Sequence, residues 1–365
     1  MAKLPVSAQV TTRPVAIAQI ITGTAAAMAL LYFLAGILIP LVIAFVLVVL
    51  VDAVVTFIDR RSPRSPRWAV SLVSGLLVIM TASSGIFILA QGAVKMVEQG
   101  PALVARLESL VQSIGRSAGY SEPLHLATLV GQVSVPEVAG AILNAAQGVA
   151  GGVLLIIVYF GFMVAGRRRI SRKIDAAAVT SRRRLAIKRA IDRVASDLRI
   201  YLWVQTLTGL MLASVSAVVM ALVGLDNVLF WTVVLFLLSF IPTIGVTIGS
   251  IVPALFALLQ FDSFWQAAVI FGAIQLIALV IGNFIYPRMQ ADTQNIDPVT
   301  TLLALSLWTF LWGVPGAFLA VPMTLMLMMI FAQFESTRWV AAALSNDGRP
   351  DFRRMPEQAP KGRQI

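Results

Sequence analysis

Apolar residues run in blocks along this chain, and six blocks are long and unbroken: 15–35, 37–58, 68–91, 144–166, 200–224 and 264–286. About twenty apolar residues in helical form cross the hydrocarbon core of a bilayer, so each block predicts a membrane helix. Two further apolar stretches, 228–260 and 299–335, are interrupted in the middle by Gly and Pro. Between the blocks the pattern changes. In 92–143, Leu103, Leu107, Leu110 and Ile114 recur at helical spacing, which predicts an amphipathic helix too polar to span. In 167–199, Ser181 is placed to cap a helix whose apolar stripe is Leu185, Ile191, Val194 and Leu198.

Charge fixes how these blocks thread. The turn Asp59–Arg67 carries four arginines, and 167–199 holds twelve Arg or Lys against three Asp. Basic loops stay cytoplasmic. Residues 91–143 carry three basic side chains against four Glu, which places them on the opposite side. The tail, with Arg338, Arg349, Arg353, Arg354, Lys361 and Arg363, returns inside. The first apolar block runs on past Ala25-Ala26-Ala27 and reads as an uncleaved anchor, with Lys3 and Arg13 inside. Both termini are therefore expected in the cytoplasm. The expected units are N-terminal membrane helices (1–91), an extracytoplasmic amphipathic segment (92–143), a membrane helix (144–166) and a basic cytoplasmic helix (167–199). A core (200–335) containing both interrupted stretches and a cytoplasmic tail (336–365) complete the chain. The fold class expected is all-α, a polytopic helical membrane protein of about eight membrane segments.

Composition agrees and narrows the chemistry. Hydrophobic residues make up 59% of the chain and charged residues 12%, with a mean hydropathy of +0.89. A soluble domain carries about a quarter charged residues. The net charge of +11 sits at the ends of apolar blocks rather than in an Arg/aromatic strip, so the basic partner expected is anionic lipid headgroups at 167–199, not nucleic acid. There is no Cys, and the single His, His125, lies outside every apolar block. No metal site, cofactor or disulfide is expected. A rhomboid-type protease needs a membrane His, a presenilin-type one a Gly-x-Gly-Asp motif, and a zinc protease HExxH; none is present, so no enzyme is expected.

The interrupted stretches carry the functional signal. Inside lipid every backbone N–H and C=O needs an internal partner, so a broken helix must face protein or a watery cavity. The first break runs from Phe240 through Pro242, Thr243, Gly245, Thr247, Gly249 and Ser250 to Pro253. The second runs from Trp312 through Gly313, Pro315 and Gly316 to Pro322. Each follows one unbroken helix. If each interrupted stretch is a re-entrant hairpin, the two units are inverted copies about the membrane plane, a pattern that marks secondary-transporter binding sites near mid-depth. Gln205, Gln275 and Asn283 add uncharged hydrogen-bonding groups in the same half. With the residues of the two breaks, they are the candidate pathway or substrate-binding set for a small polar solute. Asp52 and Asp226 sit near span ends, so no carboxylate marks the midplane, although coupling to H⁺ or Na⁺ stays open, since backbone carbonyls can bind Na⁺.

One family shares this order of features. Two early spans end in Asp59-Arg60-Arg61, and a fourth ends in an arginine cluster. Tyr201 and Gln205, Ile241-Pro242 with Gly245, Gly249 and Pro253, Gly282-Asn283 with Pro287, Asp297-Pro298, Trp312-Gly313 with Gly316, and Ala320-Val321-Pro322 then follow. In this the whole chain resembles the autoinducer-2 exporter family, or PerM-like permeases. It departs in lacking a Gly shortly after Pro287 and in having Gly282 before Asn283. The resemblance implies a bacterial inner-membrane homo-oligomer, a pentamer, with elevator-like alternating access. It also implies export of a small polar signal molecule such as autoinducer-2 or, in some members, Na⁺(Li⁺)/H⁺ exchange. A scaffold that holds partners through 167–199 is the remaining reading, against which the broken helices weigh.

Overall fold

A computed structural model describes residues 12–61, 66–117, 151–166, 181–290, 296–346 and 348. Among them the chain is helical, and an isolated bridge between Ile296 and Ser345 is its extended pairing. Five helices are long and apolar enough to cross a membrane: Ala35–Asp59, Ala69–Ser113, Val194–Val223, Trp265–Met289 and Pro298–Ala332. Large apolar side chains such as Phe33, Leu222 and Phe310 point outward, as lipid rather than water requires. The chain is a polytopic helical membrane protein.

The helices are α1 (Thr12–Phe33), α2 (Ala35–Arg61), α3 (Arg67–Ser117), α4 (Gly151–Gly166) and α5 (Ser181–Val223). They continue with α6 (Val228–Leu238), α7 (Ile244–Gln260), α8 (Trp265–Val280), a π-helical turn (Ile281–Ile285) and α9 (Tyr286–Gln290). Then come α10 (Pro298–Ala332) and α11 (Arg338–Leu344). Two of the expected divisions fall inside continuous helices. The amphipathic segment after residue 91 is the continuation of α3, which runs 51 residues. At 1.5 Å per residue that is about 76 Å, more than twice the hydrocarbon thickness. The basic helix at 181–199 and the span at 200–224 are likewise one helix, α5. α3 runs on through Gly92 and even through Gly100-Pro101, and α5 meets no Gly or Pro where its basic and apolar parts join. Residues 118–150 and 167–180 and the tail from 349 lie outside the described residues.

The first interrupted stretch is a helical hairpin. α6 has 11 residues, about 16 Å, too short to span. Its start and the end of α7 meet: Gln260 Nε2 donates to the Gly224 carbonyl at 3.0 Å, and the Asp226 N–H donates to Gln260 Oε1 at 2.8 Å. The two arms pack face to face because α7 presents glycines. A Cβ on Gly245 would collide with the Leu238 carbonyl, and one on Gly249 would meet a Leu235 methyl at 2.6 Å.

The second stretch turns back as well. Within α10, Gly313 adopts φ 64, ψ −142, which breaks the helix. Trp308 Nε1 donates to Thr324 Oγ1 at 3.1 Å, a contact sixteen residues apart in sequence. A continuous helix would separate them by about 24 Å. A Cβ on Gly316 would strike the Trp308 carbonyl, so here too the returning arm crosses the backbone of the outgoing one. Asp297 caps the first arm by accepting from the N–H groups of Val299 and Thr300.

Three apolar cores hold these pieces. One joins α5 to the first hairpin and α8, with Met220, Leu235, Ala257, Ile270 and Ile274 nearly or wholly inaccessible. A second packs Leu198, Tyr201 and Leu202 of α5 on Leu325, Met328 and Ala341. The third surrounds the second break with Trp308, Trp312 and Ala320 against Leu31, Leu38 and Val42 of α1 and α2. The C-terminal half of α3 lies on the first hairpin, where Gly92 leaves room for the Phe230 ring. Arg106 bonds the Phe261 carbonyl at 3.2 Å and Asp262 at 2.8 Å.

The crossings give a stability prediction. Gly245→Ala and Gly316→Ala each force two backbones apart and should cost about 2–4 kcal/mol. Gly272→Ala, in a helix with open space around it, should be neutral or stabilising by up to about 1 kcal/mol. Thermal unfolding in detergent checks this; equal midpoints for Gly316→Ala and Gly272→Ala would contradict the crossing geometry.

Candidate functional site

The first hairpin turns on five residues. α6 tightens at its end: Ser239, Phe240 and Ile241 donate to the carbonyls of Leu235, Leu237 and Leu238 at 2.9, 3.0 and 2.9 Å. Pro242 has no N–H to continue the ladder. Thr243 then takes φ 58, ψ −50, and the Ile244 N–H donates to the Pro242 carbonyl at 2.6 Å. This is a γ-turn of the rarer positive-φ kind, unusual for a β-branched residue. α7 starts immediately behind it.

That tip forms one wall of a cavity of about 420 Å³. α5 supplies a second wall through Tyr201, Gln205, Thr208 and Gly209. The third is the end of α8 and its π-turn, with Ile281, Gly282 and Tyr286. A π-turn adds a residue per turn, which carries both Ile281 and Tyr286 onto the same wall. Thr301 and Val321, one from each arm of α10, complete the lining.

The polar groups here share a bias. Thr208 Oγ1 donates to the Val204 carbonyl at 2.8 Å, Ser239 Oγ to that of Phe236 at 2.6 Å, Thr243 Oγ1 to that of Pro242 at 2.6 Å, and Thr301 Oγ1 to that of Asp297 at 3.2 Å. Gln205 Nε2 donates to the Ser239 carbonyl at 2.7 Å. These four hydroxyl protons and one amide N–H of Gln205 are thus spent on backbone, while the hydroxyl oxygen lone pairs remain for a guest. Among the described residues lining the cavity, none carries a full charge at neutral pH.

Of the candidate residues, Gln205, Pro242 and Thr243 line this cavity. Gly245, Gly249, Ser250 and Pro253 lie behind the tip, buried in the packing of α7. Thr247 is exposed on α7, and Gln275 is half-buried on α8 away from the cavity. Asn283 sits in the π-turn, exposed, with Nδ2 donating to the Leu279 carbonyl at 2.9 Å. Gly313 and Pro315 are at the second tip, and Gly316 and Pro322 are buried in that hairpin's core. The structure adds Thr208, Ser239, Tyr286 and Thr301, hydroxyl side chains that no sequence pattern marks. Tyr201 enters the sequence reading only through the family pattern.

The family model for AI-2E family transporters matches residues 21–336, nearly the whole described chain. The chain belongs to the AI-2E transporter family. It is a multi-pass inner-membrane transport protein by that membership and its apolar helices. Relatives of this AI-2E transporter include YhhT of Escherichia coli strain K12, 24% identical over 323 residues, 87% of this chain and 90% of that protein. The AI-2 transport protein TqsA of the same strain is 30% identical over 161 residues, 44% of this chain and 45% of TqsA. A relative in Haemophilus influenzae is 25% identical over 201 residues, 55% of this chain and 58% of its own length.

Thr301 lines the cavity while Ala317 is buried behind the second tip, and cysteine probes read the difference. The transporter has no cysteine of its own. A single Cys at Thr301 should react with a water-soluble thiol reagent, while one at Ala317, buried behind the second tip, should not. Reaction at Ala317 as fast as at Thr301 would show that both tips line water.

Proposed function

We propose that this AI-2E transporter exports a small, uncharged, hydroxyl-rich solute, and that the cavity at the first tip is where the solute rests. The supporting observation is the charge-free lining with its surplus of acceptors. Donor-rich solutes such as polyols match it, and ions lose hydration there without a countercharge. The likeness to a relative named as an AI-2 transport protein favours a signal molecule of the autoinducer-2 kind. Re-entrant placement of the two hairpins and elevator-like movement of the 200–335 transport core fit the short α6 and the fold-back at Gly313. Homo-oligomeric assembly, a pentamer, cytoplasmic termini and lipid headgroups at 167–199 complete the proposal.

The second reading is Na⁺(Li⁺)/H⁺ antiport. Its support is the cluster of backbone carbonyls at the end of α6, a usual cation ligand set where helices are broken. Proteoliposomes separate the two. Loaded autoinducer-2 should leave vesicles containing the protein faster than empty vesicles, without added Na⁺. Thr301→Val, which removes one acceptor from the wall, should weaken solute affinity about fivefold. Na⁺-driven proton movement with no solute efflux would establish antiport instead.

A further inference from the structure

The two hairpins are built alike and held differently. The second tip turns on Gly313, whose φ of 64 suits glycine. Gly313 to Pro315 are themselves exposed, but directly behind them Trp308, Trp312 and Ala317 pack against α1 and α2, and Trp312 Nε1 donates to the Leu31 carbonyl at 2.9 Å. The first tip turns on Thr243, a β-branched residue at φ 58, a conformation that survives only where surroundings impose it. Its base is fixed by Gln260 and by the Arg106–Asp262 pair. Its far end touches α5 at Gly209, where a Cβ would collide with the Ser239 hydroxyl, and is held there by the one Gln205–Ser239 hydrogen bond. A hairpin clamped at its base, strained at its tip and tied across a cavity by a side chain of that cavity will move at the tip.

We propose that residues 239–243 are a gate hinged at Thr243 and latched to α5 by Gln205, which opens the cavity while the second tip stays packed. The proposal rests on the reading of the cavity as the solute's resting place. Strain at Thr243 favours the open tip, and the Gln205 amide opposes it. A solute acceptor that captures the Gln205 N–H frees the Ser239 carbonyl, so occupancy and opening are linked. Gln205 and Thr243 are positioning residues in this scheme.

The test is the labelling rate of Thr208→Cys, a buried cavity position, by a membrane-impermeant thiol reagent in the otherwise cysteine-free protein in lipid nanodiscs. Gln205→Met keeps the stem but removes the donor and should speed labelling about fivefold. Thr243→Gly relaxes the turn, stabilises the closed tip and should slow labelling about fivefold. Ala317→Cys at the second tip should be unaffected by either change. Opposed signs distinguish a gate from general loosening, which would speed both cysteines in both variants. Equal directions, unchanged rates, or a matching response at Ala317 would overturn the gate. Labelling needs no solute, so solute efflux with unmoved labelling rejects the gate alone. The expected labelling with no efflux of autoinducer-2 or polyols supports the gate and rejects the proposed solute export.

Discussion

The fold depends on two places where one backbone crosses another with no side chain between them: Gly245 over the Leu238 carbonyl and Gly316 over that of Trp308. A chain that turns back inside lipid must satisfy its polar backbone groups within the protein. It can do so if the two arms touch closely enough for the returning helix to start at once, its first N–H groups facing the carbonyls that the outgoing helix leaves unpaired. The Gly245 N–H donates to the Ile241 carbonyl at 3.1 Å, and the turn is already closed there. Any Cβ at the crossing would hold the arms apart and leave those groups without partners. The other contacts of the hairpins, including the Trp308–Thr324 bond, follow from this approach.

Equal construction does not give equal roles. The inverted pairing expected from the sequence gives the two breaks the same standing, and the packing separates them. Two tryptophans, with ring centroids 5.1 Å apart, fill the space behind the second break and anchor its hairpin on α1 and α2. The first break meets α5 through Gly209, Gln205 and Thr208, small or polar groups that leave space. Large aromatic area gives a fixed anchor, whereas hydrogen bonds over a cavity give a contact that a guest can compete for.

The sequence shows much of this and hides a definite remainder. Gly and Pro in an apolar run betray a break because each has a backbone consequence, and the breaks lie where 240–253 and 312–322 place them. The apolar blocks betray the membrane class for the same reason. Helix ends were less legible: Gly100-Pro101 is carried inside α3 without ending it, no Gly or Pro lies between 199 and 201, and a change in polarity is not a change in backbone. The cavity wall was least legible. Thr208, Ser239 and Thr301 are single hydroxyls whose meaning arises when three distant segments meet. Gly249, Ser250 and Pro253 lie in the legible motif yet face the hairpin's interior, since a motif that builds a turn need not line what the turn encloses.

The electrostatics of the tip explain why a site with no countercharge can exist there. α6 ends and α7 begins within the same five residues, so a negative helix end and a positive one sit side by side and largely cancel. Gln205 places an amide proton on the Ser239 carbonyl and reduces what is left. A guest therefore finds a neutral, acceptor-rich lining in which each hydrogen bond contributes about 1 kcal/mol. Binding of that kind is selective through pattern, because a guest lacking a hydroxyl leaves lining groups unpaired. It is also weak enough for release, which a carrier needs as much as recognition.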